Sequence, residues 1–192
     1  MQKSDYKSDL FVRMPFFDAW QLSCLKGERN ISLIARDEKT SALLGVIIME
    51  VVRTGEVHED QKSEVRVPRH KQCPDKMEAI LTFLDWVKSG LDVGQVYGVK
   101  EWMDLAILCC DTDNRVPGLG TELCVRGLKA VQERGFNVVT SIATSHFSGR
   151  IFQKQGFDLI RESPYTDYKV DDKVVLPTNE PHTHIRLFVK KI

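Results

Sequence analysis

The segment that most constrains the fold lies near the middle of the chain, where an apolar run leads into a glycine-rich turn and an amphipathic helical pattern. The apolar run covers 105–110, the turn covers 115–121, and the helical pattern continues to Arg134. Gly118 and Gly120 let the backbone approach an anion without a Cβ in the way. The N–H groups and the macrodipole of a helix start attract phosphate. The pattern therefore predicts a strand, a phosphate-holding turn and a helix.

Two common nucleotide-binding loops do not match this turn. A Walker loop ends in Gly-Lys-Ser or Gly-Lys-Thr, whereas Thr121 follows Gly120 directly. A dinucleotide-binding fingerprint needs a third glycine where Leu123 stands, and an acidic ribose partner after a second strand. What remains is Arg-x-x-Gly-x-Gly, beginning at Arg115. Such strings also occur in ordinary turns, so the loop needs support from the rest of the sequence.

Composition limits the classes of protein that the chain can be. Its 192 residues suffice for one domain with a sizeable core, and 42% hydrophobic with 28% charged residues is typical of a globular protein. Lys plus Arg equals Asp plus Glu at 27 each, so no overall field favours nucleic acid or a membrane surface. We expect one domain over 1–192 that acts as a monomer on a small molecule, without nucleic-acid or membrane partners.

The cysteines and the N-terminal residues indicate in which cellular compartment the protein is expected. Five cysteines are an odd count, none is in a Cys-x-x-Cys pair, and Cys109 and Cys110 are adjacent inside an apolar run. This pattern favours reduced, buried thiols over disulfides or zinc ligands, so no metal is expected. No stretch has the length of a membrane span, and 1–5 has no apolar signal core. A cytoplasmic location is therefore expected.

The clearest local structure in the first half is a hairpin. Residues 31–36 form one predicted strand, 37–41 the turn, and 42–53 a long second strand. Gly45 lies inside the second strand and indicates a bulge or a close approach of another element. Before the hairpin, only a short helix over about 18–25 is predicted, with neighbouring aromatic residues that pack against the sheet or line a pocket.

Residues 54–74 are polar and predict a surface loop. A helix is predicted over 75–89, with Gly90 as its stop. Its apolar stripe, expected to face the core, consists of Met77, Ile80, Leu81, Leu84 and Val87, with Phe83 and Trp86 beside it.

The second half predicts a strand–helix–strand unit. Strands over 102–110 and 136–143 flank a helix over 118–134, which makes the two strands a parallel pair. A second helix begins at the N-cap residue Ser145 and ends at Gly156. Later strands are predicted over 157–161 and 185–189. The order predicts an α+β fold with antiparallel strands, one central parallel βαβ unit, and antiparallel strands again.

Four short motifs in this order resemble a known family. They are the loop 115–121, the segment 144–157, which reads Thr-Ser-His-Phe-Ser-Gly-Arg-Ile-Phe-Gln-Lys-Gln-Gly-Phe, the run 167–169, and the pair 181–182. Together they resemble the GCN5-related N-acetyltransferase superfamily, and within it the insect arylalkylamine N-acetyltransferases, over about 104–192. The resemblance implies a mixed sheet with splayed parallel strands. It also implies direct transfer of an acetyl group from acetyl-coenzyme A to a primary arylalkylamine in a ternary complex.

The resemblance also implies how acetyl-coenzyme A is held. An N–H group near Cys110 would stabilise the oxyanion, and Arg115 would bind the pyrophosphate. Arg150, with Lys154 four residues later, would add positive charge near the nucleotide or else form a solvated helix face. The backbone N–H groups expected to hold the pyrophosphate are those of Val116, Gly118, Leu119, Gly120 and Thr121.

For the chemistry, the family's two catalytic hydroxyl positions fall on Thr144 and Ser148. The alternative for both is hydrogen bonding at the start of a helix. His146 could relay a proton, because an unperturbed imidazole titrates near neutrality, or it could cap the helix or pack in the core. Tyr168 and His182 match the family pattern and are expected to be pocket or structural residues.

Three departures from the family matter. Pro117 lies inside the phosphate loop and removes one N–H donor. Phe152 stands where many members have a tyrosine acid, and it cannot donate a proton. The family's general-base glutamate, in an Asp-Glu-Pro-Leu-like stretch, has no counterpart before the first hairpin at Ile31. The first strand and helix of the family are therefore expected to be missing or replaced.

These departures keep other functions open. The chain could be an acetyltransferase with a displaced base, or a catalytically impaired homologue that binds coenzyme A without turnover. It could also acetylate a polyamine or a protein. Several carboxylates in the pocket would favour a polyamine, and aromatic residues would favour an arylalkylamine.

Overall fold

The computed structural model describes residues 25–27, 29–54, 75–176 and 178–192. Its strands are β1 (Ile31–Arg36), β2 (Leu43–Arg53), β3 (Glu101–Cys110), β4 (Val138–Ala143), β5 (Asp158–Pro164), β6 (Lys169–Val170), β7 (Lys173–Val174) and β8 (His184–Lys191). Its helices are α1 (Asp75–Lys88), α2 (Val93–Tyr97), α3 (Leu119–Glu133) and α4 (His146–Lys154). The predictions for 1–24 and 55–74 lie outside the described residues.

One mixed sheet of six strands organises the molecule, in the order β1–β2–β3–β4–β8–β5. Strands β3 and β4 are parallel, and the other neighbouring pairs in this sheet are antiparallel. Helix α3 connects the parallel pair, and β6 with β7 forms a separate short ribbon. The predicted α+β order, antiparallel on both sides of one central βαβ unit, is confirmed.

The two parallel strands part midway along their length. Their parallel register ends with Leu105 opposite Ser141, while β3 continues to Cys110. At the same level the register between β2 and β3 shifts, so that Ala106 is left as an extra residue in β3. Such a bulge bends the strand that carries it. The predicted splay of the parallel strands is confirmed, and the bulge lies where it begins.

Gly45 accounts for the shape of the first hairpin. The β1–β2 register shifts beside it, between Ala35 and Arg36. A Cβ on Gly45 would lie 3.0 Å from Cδ1 of Leu123 and 3.1 Å from the carbonyl oxygen of Cys109. Both predicted features, a bulge and a close approach of another element, are therefore present. The close approach lets α3 pack directly on the sheet.

Helices α3 and α4 cover one face of the sheet, and α1 packs on a second cluster. The first cluster includes Ile47, Met49, Met103, Leu105, Leu123, Cys124, Val131, Phe152 and Phe188. The second is formed by Phe83, Val87, Tyr165, Ile185 and Leu187. No helix within the described ranges is long and apolar enough to cross a membrane.

The buried face of α1 differs from the predicted stripe. Phe83 and Val87 are 1% exposed, whereas Ile80 is 38% exposed. The ring of Phe83 stacks on Trp86 at 5.7 Å between centroids and meets Tyr165 at 5.4 Å. The aromatic residues bury more apolar area than the aliphatic ones, so the helix turns them toward the sheet.

The prediction of buried thiols holds for Cys124 and is wrong for Cys109. Cys124 is fully buried, Cys110 is half-buried, and Cys109 is exposed; all three are free. Successive side chains of a strand point to opposite faces. Because Cys110 points toward α3, Cys109 projects to the other side, where its strand is no longer covered.

Candidate functional site

The glycine-rich turn leaves the end of β3 and begins α3. Asp111 shapes the turn, since its carboxylate accepts from the N–H of Asp113 at 2.9 Å and from the amide of Asn114 at 2.7 Å. Gly118 is the N-cap of α3, with φ of 80°, a conformation that favours glycine. The turn is therefore built by a carboxylate at its entry and a glycine at its exit.

The start of α3 has no side-chain cap. By contrast, the side chain of Asp92 caps α2 and that of Ser145 caps α4. The N–H of Leu119 donates within the turn to the carbonyl of Val116 at 3.2 Å. The first α-helical hydrogen bond is donated by the N–H of Glu122 to the carbonyl of Gly118, at 3.0 Å. The N–H groups that come before Glu122 in the first turn therefore take no part in the α-helical hydrogen bonds. Such a helix start can accept an anion.

Three of the predicted elements meet beside this helix start. A Cβ on Gly120 would lie 3.5 Å from Sγ of Cys110 and 3.1 Å from Cδ1 of Ile151. The end of β3, the start of α3 and the middle of α4 are therefore in contact. Arg115 and Arg150 are exposed, one on the turn and the other beside Ile151 in α4.

Burial, and secondarily Cys109, raises the pKa of the Cys110 thiol. The thiol therefore stays protonated at neutral pH, which makes it a poor nucleophile. A cysteine at the end of β3 is thus better suited to packing than to carrying an acyl group.

The start of α4 is held by a capping box. The N–H of Ser148 donates to Oγ of Ser145 at 3.1 Å, and the N–H of Ser145 donates to Oγ of Ser148 at 3.4 Å. The two hydroxyl oxygens are 2.9 Å apart. The hydroxyl of Ser148 therefore has the helix-start role that was its alternative to catalysis. Thr144 is exposed, and its carbonyl accepts from the hydroxyl of Tyr165 at 2.8 Å.

Two histidines meet at this helix start. The backbone N–H of His146 donates to Nδ1 of His182 at 3.2 Å. The ring of Phe147 stands edge-on to both imidazoles, 5.9 Å from His146 and 5.4 Å from His182. An imidazole that accepts at Nδ1 carries its proton on Nε2 when neutral. His182, which had no firm role in the sequence, thus helps to cap α4.

Two residues of this region have no role in the sequence motifs. Tyr165 is buried and supports Thr144, and burial raises the pKa of its phenol while Arg186 opposes the rise. Asp104 is buried in β3, where Oγ1 of Thr140 donates to its carboxylate at 2.5 Å. The sequence contained a signal for Asp104, because a lone carboxylate inside an apolar strand needs a partner.

Comparison with known proteins identifies the fold. No known protein-family model matches the sequence. The structure is similar to arylalkylamine N-acetyltransferase 2 from Aedes aegypti, with a TM-score of 0.80 and 22% identity over 92% of this chain and 79% of the other. It is also similar to the Drosophila melanogaster polyamine N-acetyltransferase that forms N-acetylagmatine, with a TM-score of 0.73 and 23% identity over 91% and 79%.

A third similar structure is the C-terminal condensation domain of Ebony in complex with β-alanyl-dopamine, with a TM-score of 0.63 and 12% identity over 93% and 78% of the two chains. At these identities the likeness establishes the architecture. The chain has the GCN5-related N-acetyltransferase fold, and the predicted resemblance to the insect arylalkylamine N-acetyltransferases is confirmed at the level of structure.

Proposed function

We propose that the chain is an N-acetyltransferase that moves the acetyl group of acetyl-coenzyme A to a primary amine by direct attack in a ternary complex. The observation that carries the proposal is the helix start of α3, free of a side-chain cap, at the end of a strand that has parted from its parallel neighbour. That arrangement offers N–H groups to a pyrophosphate and leaves a cleft for the pantetheine arm.

The proposal extends to the residues that hold acetyl-coenzyme A. Arg115 and the first-turn N–H groups of Gly120 and Thr121 bind the pyrophosphate, together with the N–H groups of Val116 and Gly118 in the same turn. The N–H of Leu119, which was also expected to bind it, already donates to the carbonyl of Val116. An N–H near Cys110 donates to the oxyanion of the tetrahedral intermediate. The exposed guanidinium of Arg150 lies on the neighbouring helix and adds positive charge near the nucleotide.

Three side chains at the start of α4 are assigned to the departing sulfur. Thr144 and Ser148 supply hydroxyls, and His146 supplies an imidazole that can relay a proton. The capping box supports the placement of Ser148, because it fixes the hydroxyl at the helix start instead of leaving it free to rotate. The backbone of Thr144 is held by the hydrogen bond from the hydroxyl of Tyr165 to its carbonyl.

The acceptor is proposed to be an arylalkylamine. The fold that the chain shares with arylalkylamine N-acetyltransferase 2 from Aedes aegypti supports this choice. The similar structures include an enzyme named for arylalkylamines and another named for polyamines. A polyamine is therefore the competing acceptor.

A second candidate function is coenzyme A binding without turnover. Two observations favour it: the hydroxyl of Ser148 also donates to the carbonyl of Ser145 at 3.1 Å, and Phe152 is buried in the core where a tyrosine acid would stand. In that case acetyl-coenzyme A would bind and no amine would be acetylated.

Both candidate functions require that the chain binds acetyl-coenzyme A. Thermal unfolding with and without saturating acetyl-coenzyme A tests this binding. A ligand at a hundred times its Kd adds about 2.7 kcal/mol, which raises the Tm of a domain of this size by roughly 5–11 °C. We expect Arg115→Ala to reduce the shift, and Arg126→Ala, an exposed arginine in α3, to leave it unchanged. No shift in a chain that melts cooperatively would exclude both functions. Thiol release with arylethylamines, agmatine and polyamines then separates enzyme from binder.

A further inference from the structure

Arg186 of β8 is a largely buried cation that the assigned roles do not use. Its side chain is 17% exposed, and its Nε donates to Oε2 of Glu162 on the neighbouring strand β5. Within the described part of the chain, neither of its Nη groups donates a hydrogen bond. A guanidinium carries five N–H donors, and taking it out of water costs free energy unless these donors are used. The unused donors therefore call for an explanation.

The guanidinium lies beneath the start of α4. A Cβ on Gly149, in the first turns of that helix, would lie 3.4 Å from both Cδ and Nη1 of Arg186. Arg186 is also opposite Ala143, the last residue of β4 before the helix. It lies on the same face of β8 as Phe188, whose ring packs against Phe152 of α4. The helix therefore passes directly over the guanidinium, and the missing side chain of Gly149 leaves room for it.

The residues assigned to the departing sulfur lie on both sides of this position. Ser148 immediately precedes the glycine above the guanidinium, and Thr144 immediately follows the last residue of β4. The hydroxyl of Tyr165 donates to the carbonyl of Thr144 at 2.8 Å. Burial raises the pKa of this phenol, and Arg186 opposes the rise. The charge of Arg186 thus acts on groups at the start of α4.

The charge of Arg186 makes the start of α4 strongly positive. The N-terminal end of a helix is itself positive, so a cation beneath its first turns is unfavourable without an anion nearby. The sequence of the first turn, His-Phe-Ser-Gly, contains no acidic residue. Glu162 offsets only part of the charge, because its side chain is 40% exposed and water screens it more than the guanidinium. Such a potential suits a negative charge that forms during a reaction.

We infer that Arg186 supplies the positive charge that stabilises the thiolate of coenzyme A as it departs. The inference rests on the proposed acetyl transfer. The nitrogen of a neutral amine attacks the thioester carbon, the C–N bond forms, and the C–S bond breaks with its electron pair left on sulfur. The nitrogen gives its surplus proton to water, and the sulfur takes up a proton when coenzyme A is released. Arg186 thereby offsets the lack of a phenol at Phe152, which cannot protonate the sulfur.

The ionisation of bound coenzyme A measures this role without any turnover. A thiolate absorbs ultraviolet light strongly at wavelengths where a thiol does not. The complex with desulfo-coenzyme A, which lacks the sulfur, gives the background spectrum. The difference between the spectra of the two complexes therefore reports the ionised fraction of the thiol at each pH. The Tm shifts caused by the two ligands show that both are bound.

Three variants are compared with wild type. Arg186→Met removes the charge and keeps a long side chain beneath the helix. Glu162→Gln removes the opposing charge and keeps an acceptor for Nε of Arg186. Arg161→Met is the matched control, because Arg161 is a half-buried arginine of β5 that donates to the carbonyl of Val87 at the end of α1 and not to α4.

We expect the thiol of coenzyme A to ionise at a lower pH when bound to wild type than when free. The midpoint should rise by about one pH unit or more in Arg186→Met and fall in Glu162→Gln, because a nearby cation lowers the pKa of a thiol and an anion raises it. Arg161→Met should keep the wild-type midpoint. In thiol release with the amine panel, kcat should fall about tenfold in Arg186→Met, with KM for acetyl-coenzyme A unchanged.

The outcomes separate this inference from the proposed function. Equal midpoints for wild type and Arg186→Met would overturn the role of Arg186. A rise in both Arg186→Met and Glu162→Gln would overturn it too, because loss of a merely structural ion pair acts in one direction. The expected midpoints without acetylation of any amine would overturn the acetyl transfer, and Arg186 would then only bind coenzyme A. A wild type that binds neither ligand would overturn the proposed function itself.

Should Arg186→Met not fold, Glu162→Gln decides the matter. It leaves the guanidinium in place without the opposing charge, so the midpoint should fall below that of wild type. A midpoint that is unchanged or higher would overturn the inference, because the bound sulfur would then not respond to the charge beneath α4.

Discussion

At the scale of single residues, two glycines of α3 serve different purposes because their surroundings differ. Gly118 has φ of 80°, and nothing lies within 4 Å of the position that a Cβ would take. It is needed for its backbone conformation at the helix start. Gly127 has ordinary helical geometry, but a Cβ there would lie 2.9 Å from Cδ1 of Ile47 and 3.1 Å from Sδ of Met49. It is needed for space.

The contact at Gly127 predicts a large effect of a small change. Gly127→Val should lower the free energy of unfolding by about 1–3 kcal/mol, because overpacking forces α3 off the sheet. Urea unfolding measures the loss. Val125→Ala, on the exposed side of the same helix, should stay within about 0.5 kcal/mol of wild type. A Gly127→Val chain as stable as wild type would mean that Ile47 and Met49 can move aside freely.

At the scale of elements, the ends of helices carry most of the candidate site. Helix α4 is stopped from fraying by Ser145 and by His182, which comes from a distant part of the chain. The end of α1 is held by Arg161, whose guanidinium donates to the carbonyls of Val87 and Ser89 at 2.8 Å. Cations at a helix C-terminus are favourable. This clamp fixes the turn from which Lys88 reaches Asp104.

The capping box separates the two interpretations of Ser148. Ser145→Ala should cost about 1 kcal/mol of stability, because it removes the acceptor for the first-turn N–H groups. Ser148→Ala should cost less, since the N–H of residue 148 keeps its bond to Ser145. If the hydroxyl also assists the departing sulfur, kcat should fall in Ser148→Ala with the affinity for acetyl-coenzyme A unchanged. Urea unfolding and steady-state thiol release measure the two effects, and an unchanged kcat would leave Ser148 as a cap alone.

At the scale of the whole molecule, the sheet sets both the cleft and the response to alkaline pH. Cys124 of α3 is fully buried against it, and burial raises the pKa of its thiol from 9.0 to about 11, with Lys190 opposing the rise. The folded chain therefore holds a proton that the unfolded chain releases between these two values.

Stability should accordingly fall as pH rises from about 9 to about 11. Below pH 9 both states keep the proton, so the Cys124 contribution is fully present there. We expect the urea midpoint of wild type to drop across this window, and that of Cys124→Ala, although lower at neutral pH, to drop less. Parallel pH profiles for the two chains would contradict a neutral, buried thiol.

How much the sequence could predict depended on the range of the interactions. The βαβ unit, the glycine turn before α3 and the cap at Ser145 follow from residues within a few positions of one another. Local backbone preferences and short-range hydrogen bonds decide such features, so the chain alone determined them, together with the fold class.

Only the tertiary structure decided the partners of the site residues. Asp104 meets Thr140, and His146 meets His182, each across 36 positions of sequence. The exposure of Cys109 and the aromatic face of α1 depend likewise on what packs on each strand. No local pattern encodes these contacts, because the free energy that selects them comes from burying distant parts of the chain against each other. That is why the partners of Asp104, a lone aspartate in an apolar strand, were known only once the strands around it were in place.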